Sequence, residues 1–117
     1  MHALVKAGKA LSSEVRIRML NVIRERECCV CEIMQVLGIT ESCASRNLRI
    51  LYEAGFFKLR REGLWVLYSI DMENLKELYI ALHEAVREAS QRDETVIEDR
   101  QRMKDIKRVG RFCASRS

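Results

Sequence analysis

The sequence predicts a mainly helical chain with one small β-hairpin, an α+β arrangement in a single small domain. Three observations carry this. There are no prolines and only five glycines in 117 residues, so helices run with few breaks. Apolar residues recur at helical spacing in several successive stretches. One stretch, around Glu62-Gly63, alternates instead with a period of two. A hydrophobic content of 48% allows a real core, although a domain this small often gains from dimerisation.

The elements follow in order. Residues 2–10 form a short helix with Leu4, Ala7 and Leu11 on one side, stable only when docked. Ser12 and Ser13 are N-caps for a core helix ending near Arg26, whose stripe is Val15, Met19, Val22 and Ile23, widened by Ile17 and Leu20. A helix from about Cys29 to Leu37 buries Val30, Ile33, Met34 and Leu37, and Gly38 stops it. Thr40 caps the next helix, roughly Glu41 to Ala54, with Ala44, Leu48 and Leu51 inward. Gly55 ends it. Residues 56–61 and 64–70 make the hairpin, with Val66, Tyr68 and Ile70 facing in and Lys58, Arg60 and Arg61 toward the tip. Asp71 caps a long helix from about Met72 to Gln91, whose narrow seam Leu75, Leu78, Leu82, Ala85 and Ala89 suits pairing with its own copy. Residues 92–117 read as a charged extension, a marginal helix followed by a loose basic tail, so the folded domain is expected to occupy 1–91.

Two short helices joined by a tight turn with Gly38 form a helix-turn-helix. On the outer face of the second, Ser42, Ser45, Arg46 and Arg49 fall at i, i+3, i+4 and i+7. Hydroxyls and guanidiniums are the groups that contact phosphates and guanine edges. A hairpin tipped by Arg60 and Arg61 then reads as a wing that touches the adjacent backbone or minor groove. Net charge is only +4, but basic residues gather at 46–61 and 100–116, and local patches matter more for phosphate binding than the total. The expected architecture is thus a winged helix-turn-helix, dimeric through its terminal helices.

Five cysteines is an odd number, and Cys28, Cys29 and Cys31 lie within four residues. Neighbouring cysteines cannot staple distant parts of a fold, so the cluster reads as a metal or redox site. No signal-peptide pattern and no membrane-length apolar run is present, which makes the cytoplasm the expected compartment. No glycine-rich phosphate loop or nucleophile–base pair is evident, and Cys28 to Cys31 has no βαβ context, so an enzyme is not expected.

With these residues in hand, the chain resembles the ArsR/SmtB family of small winged-helix metalloregulatory repressors, and within it the arsenite-responsive branch. The anchors are Ala10-Leu11-Ser12, Glu27-Cys28-Cys29-Val30-Cys31-Glu32-Ile33, Ser45-Arg46-Asn47-Leu48 with Leu51 and Gly55, and Arg61-Glu62-Gly63-Leu64-Trp65-Val66-Leu67-Tyr68. The resemblance implies a homodimer that represses a resistance operon and leaves its double-stranded operator when As(III) or Sb(III) binds. It also places Asn47 among the DNA-binding residues, at a position where the family often has His. Met34 stands where the branch often has a third cysteine.

Trivalent arsenic is soft and takes three thiolates, so Cys29 and Cys31 are the expected ligands. In a regular helix, residues two apart point about 200° apart, so binding is expected to unwind the start of the helix. Cys28, at i, i+3 from Cys31, is the favoured third ligand. Cys43, Cys113 and a water or small thiol are the alternatives. The same module could instead sense Cd(II), Pb(II), Zn(II) or thiol oxidation. A zinc site at Asp71, Glu73, His83 and Glu84 is disfavoured, because the first histidine of such a site is missing.

Overall fold

The computed structural model describes residues 1–106. The elements run α1 (His2–Ala10), α2 (Glu14–Glu25), α3 (Val30–Leu37), α4 (Glu41–Ala54), β1 (Lys58–Glu62), β2 (Trp65–Ser69), α5 (Glu77–Ser90) and α6 (Glu94–Asp105). The caps are those the sequence offers. Ser13 accepts from the Arg16 amide at the start of α2, and Thr40 Oγ1 accepts from the Cys43 amide at 3.2 Å at the start of α4. Gly38 ends α3 in the left-handed region, at φ 69° and ψ 39°.

Helix α2 forms the centre of the core. Met19, Leu20 and Val22 are fully buried, together with Ile33 and Val36 of α3, Ala44, Leu48 and Leu51 of α4, and Phe56. Of the expected inward residues of α1, Ala7 is buried and Leu11 packs against the core, while Leu4 is 52% exposed and Ala10 is buried instead. The two strands pair antiparallel, with Arg60 opposite Leu67 and Glu62 opposite Trp65. As expected, Val66, Tyr68 and Ile70 face the main core. The other face is covered too, since Leu67 is fully buried.

Helix α5 begins at Glu77, later than the expected Met72. Asp71 caps a local turn instead: the Asn74 amide donates to the Asp71 carbonyl at 3.1 Å, and Asn74 Nδ2 donates to Asp71 Oδ2 at 2.6 Å. Short polar side chains that bond nearby backbone and each other compete with helix in this way. His83 and Val86 of α5 are buried, while Ala85 and Ala89 are exposed and Leu82 is half-buried.

The extension expected after residue 91 is helical and docked as far as Asp105. Helix α6 packs on α2 and α3, and Val96 and Met103 are buried. Asp99, fully buried, is held by Arg18 and Arg102. The tail from residue 107, including Cys113, lies outside the described residues.

His83 is a core side chain. It is 1% exposed, its ring packs edge-on against Phe56, and Nε2 lies 3.1 Å from the Phe56 carbonyl. Nδ1 has no hydrogen-bond partner among the described residues. Burial pushes the imidazole below its ordinary value, with the nearby Arg24 charge adding to the effect against the Phe56 carbonyl and Glu84. The folded protein therefore resists a proton that the unfolded chain accepts near pH 6.5. Its contribution is present above that pH and is lost as pH falls toward the depressed folded value. A urea midpoint that drops between pH 7.5 and 5.5, with a flatter profile in His83→Gln, is the expected result.

Candidate nucleic-acid interface and thiol segment

Helix α4 lies between two glycine stops, and its buried stripe turns the opposite face outward. Ser42, Arg46 and Arg49 are exposed on that face, and Ser45 is half-buried with its hydroxyl donating to Glu41 Oε1 at 3.2 Å. Arg49 meets Glu53 at 3.6 Å with both side chains largely exposed, a pair too weak to withhold it from a phosphate. On the wing, Arg61 is exposed. The structure thus brings five of the expected contact residues, Ser42, Arg46, Arg49, Arg60 and Arg61, to the surface.

Two expected contacts are engaged by other side chains. Asn47 is 7% exposed. Its Nδ2 donates to the Cys43 carbonyl at 2.8 Å, and its Oδ1 accepts from Arg16 Nη1 at 2.7 Å. Arg16 in turn donates from Nε to the Ala10 carbonyl at 2.6 Å and from Nη2 to the Lys9 carbonyl at 3.3 Å. Asn47 therefore pins α4 to the junction of α1 and α2. Asn47→Leu is expected to weaken binding to every DNA sequence alike and leave the salt slope unchanged, because no phosphate contact is lost. A shift assay on operator variants checks this, and a changed preference at one base pair would put Asn47 on the DNA after all.

Arg60 is the second. Its Nε donates to Glu27 Oε2 at 2.9 Å, and its Nη2 donates to Glu27 Oε1 at 2.5 Å and to Glu62 Oε2 at 3.0 Å. These carboxylates raise its already high pKa. The guanidinium, although exposed, is paired with two protein carboxylates. No sequence signal marks the Glu27 pairing, since the two residues are far apart in the chain.

Cys28 does not share a helix face with Cys31 as expected. Cys28 precedes the helix and forms a bridge with Tyr68 of β2: the Cys28 amide donates to the Tyr68 carbonyl at 3.0 Å, and the Tyr68 amide returns a bond to the Cys28 carbonyl at 2.8 Å. Its thiol is fully buried in the main core and donates to the Arg26 carbonyl at 3.3 Å. Cys29 is the N-cap of α3 in extended backbone, at φ −94° and ψ 169°. It forms a capping box with Glu32, whose Oε1 accepts from the Cys29 amide at 3.0 Å. Successive residues of extended chain point to opposite sides. Cys29 accordingly packs away from Cys28, in a small cluster with Leu67, Trp65 and Cys31. The sulfur-bearing residues that come together are thus Cys29 and Cys31. Because Cys29 lies outside the helix, the opposed directions of a regular helix do not apply to this pair.

Cys31 accepts from Gln35 Nε2 at 3.3 Å and is disulfide-bonded, whereas Cys28, Cys29 and Cys43 are not in disulfides. Cys43 lies on α4, half-buried, with its sulfur 3.5 Å from Asn47 Nδ2. Among the described residues, no three His, Cys, Asp or Glu side chains gather closely enough to hold a metal ion. That includes Asp71, Glu73, His83 and Glu84. No described helix is long and apolar enough to cross a membrane.

A helix-turn-helix with a basic outer face, followed by a two-stranded wing, defines a winged-helix DNA-binding regulator. Comparison with known proteins narrows this. The family model described as "Bacterial regulatory protein, arsR family" matches residues 13–64. A cadmium resistance transcriptional regulatory protein CadC homolog of Staphylococcus aureus is 38% identical over 76 residues, covering 64% of this chain and 63% of the relative. The arsenic resistance transcriptional regulator ArsR1 of Pseudomonas putida is 42% identical over 66 residues, covering 56% and 52%. An HTH-type transcriptional regulator of Methanocaldococcus jannaschii is 35% identical over 71 residues, covering 60% of this chain and 80% of the relative. The match thus spans only 63% and 52% of the metal-resistance relatives' lengths. Among solved structures, the homodimeric winged helix-turn-helix DNA-binding domain of Mb0332 from Mycobacterium bovis superposes with a TM-score of 0.65 at 28% identity, covering 77% of this chain and 80% of that one.

The chain belongs to the ArsR family of bacterial regulatory proteins. The family is one of DNA-binding transcriptional regulators, not enzymes.

Proposed function

We propose that the protein is a homodimeric repressor that binds operator DNA and releases it when As(III) or Sb(III) is bound through Cys29 and Cys31. The observation that carries this is their shared cluster against β2, at the first turn of the helix-turn-helix. Two sulfurs on one side of the chain suit a soft ion that prefers thiolate. Ligation through Cys31 requires the reduced protein. Each reduced thiol would condense with an As–OH group and release one water, with no change of oxidation state. No third donor is gathered beside these two among the described residues. Cys28 keeps its place as a candidate only if it leaves the core, and Cys43 and Cys113 remain the other protein candidates.

Dimerisation is supported by the homodimeric Mb0332 domain and by the exposed Ala85 and Ala89 of α5, beside the half-buried Leu82. A twofold dimer sets its two recognition helices about 34 Å apart, one DNA turn. Relatives named for arsenic and for cadmium leave two soft ions in play, and the grouping of Cys29 with Cys31 makes thiol oxidation the second reading.

The test is a shift assay at fixed salt on the DNA upstream of the protein's own gene, using reduced protein with arsenite, antimonite, Cd(II) or peroxide. Arsenite and antimonite are expected to weaken binding at least about tenfold, a coupling within the usual range for regulators. Cys29→Ser and Cys31→Ser should still bind DNA but no longer respond. A normal arsenite response in both variants would move the sensor elsewhere, and release by peroxide alone would favour the redox reading.

A further inference from the structure

We infer that the segment Glu27-Cys28-Cys29 serves as a third, edge strand of the wing and that Glu27 positions the wing's Arg60, so that chemistry at Cys29 and Cys31 reaches DNA through the wing. This rests on the reading of the thiols as the sensing site. Three contacts make the connection, each of a different kind. The backbone contact is the reciprocal pair of hydrogen bonds between Cys28 and Tyr68, the pattern of a hydrogen-bonded antiparallel pair. The side-chain contact is the two-pronged Glu27–Arg60 ion pair. The packing contact is Cys29 and Cys31 against Leu67 and Trp65.

These contacts converge on one place. Arg60 stands opposite Leu67 in the hairpin register. Leu67 is fully buried on the face that meets Cys29. A sulfur drawn toward a ligand therefore disturbs Leu67 directly and Arg60 one strand away. Arg61, also exposed, is the next residue along β1. By contrast, the cluster that holds Cys29 and Cys31 includes no residue of α4 among those described. The two short helices touch through their own apolar stripes, so α4 is the longer route from sulfur to DNA.

The experiment is hydrogen exchange with mass spectrometry on the full reduced chain, wild type and Glu27→Gln, with and without arsenite. Trp65 is the sole tryptophan and lies in the thiol cluster, so its emission reports arsenite binding independently of DNA. Glu27→Gln alone is expected to speed exchange at the Tyr68 amide about tenfold while α4 amides stay unchanged. Arsenite should do the same in the wild type. In Glu27→Gln, arsenite should still shift Trp65 emission at the same midpoint, while the ratio of operator Kd with and without arsenite falls at least about fivefold.

Unchanged exchange across 65–69 in Glu27→Gln would overturn the inference. So would arsenite altering α4 amides while the wing stays protected. If arsenite moves neither Trp65 emission nor operator affinity, the proposed sensing function fails, and the ligand-free Glu27→Gln exchange still decides whether the segment holds the wing.

Discussion

Asp99→Ala is expected to cost about 3–5 kcal/mol, the range for removing one partner of a buried ion pair. Asp99 is fully buried. Arg18 grips it with Nε at 2.8 Å and Nη2 at 2.9 Å, and Arg102 Nη2 adds a third contact at 2.8 Å. Arg18 also donates to the Leu37 carbonyl at 3.3 Å, at the end of α3. The carboxylate thus ties α6 to the core helix and to the helix ahead of the turn. Without it, the Arg18 guanidinium stays in a partly buried place with its charge uncompensated. Small domains are stable by only about 5–15 kcal/mol, so the variant should approach unfolding near body temperature. Arg102→Ala should cost less, because Arg18 still answers the carboxylate. Urea unfolding of both variants checks the order, and an Asp99→Ala loss under about 1 kcal/mol would show the pair to be replaceable.

Gly55→Ala is expected to cost about 2–4 kcal/mol, from left-handed backbone strain together with overpacking. Gly55 has φ 103°, and a Cβ there would meet the Tyr79 ring at 2.7 Å. The ring is held in turn by Phe56, edge-on at a centroid distance of 5.4 Å. This glycine ends the recognition helix and starts the turn into the wing, so its displacement should also weaken operator binding. The double variant Gly55→Ala with Tyr79→Leu separates the causes. Part of the loss should return as the ring is removed, while the strain of the backbone remains. A Gly55→Ala protein as stable as the parent would mean that the chain can turn here without a left-handed residue.

What the sequence made legible was periodic or local. The stripes of α2 and α4, the caps Ser13 and Thr40, the stop at Gly38 and the alternation of Val66, Tyr68 and Ile70 each depend on near neighbours, and each is present. The misplacements come from distant contacts. Asn47 sits among exposed residues in the motif, and only the Arg16 side chain arriving from α2 makes it structural. Arg60 looks like a free wing cation until Glu27 is brought beside it. The thiol segment was misread because helix periodicity was extended back through Cys29, whereas the bridge to Tyr68 holds Cys28 in extended backbone and Cys29 becomes a cap. Trp65 and Leu67 did carry a signal. Large apolar side chains on the supposedly outer face of a hairpin mean that something covers that face.

The first strand of the wing bears on behaviour in crowded solution. All five residues of β1 are exposed, and Lys58, Arg60, Arg61 and Glu62 carry charge. Its partner strand is bordered on the other side by Cys28, so β1 holds the open rim of the sheet. A bare rim of this kind invites another chain to zip alongside and seed aggregates. Clustered charge makes such a match repulsive and keeps the rim open to solvent.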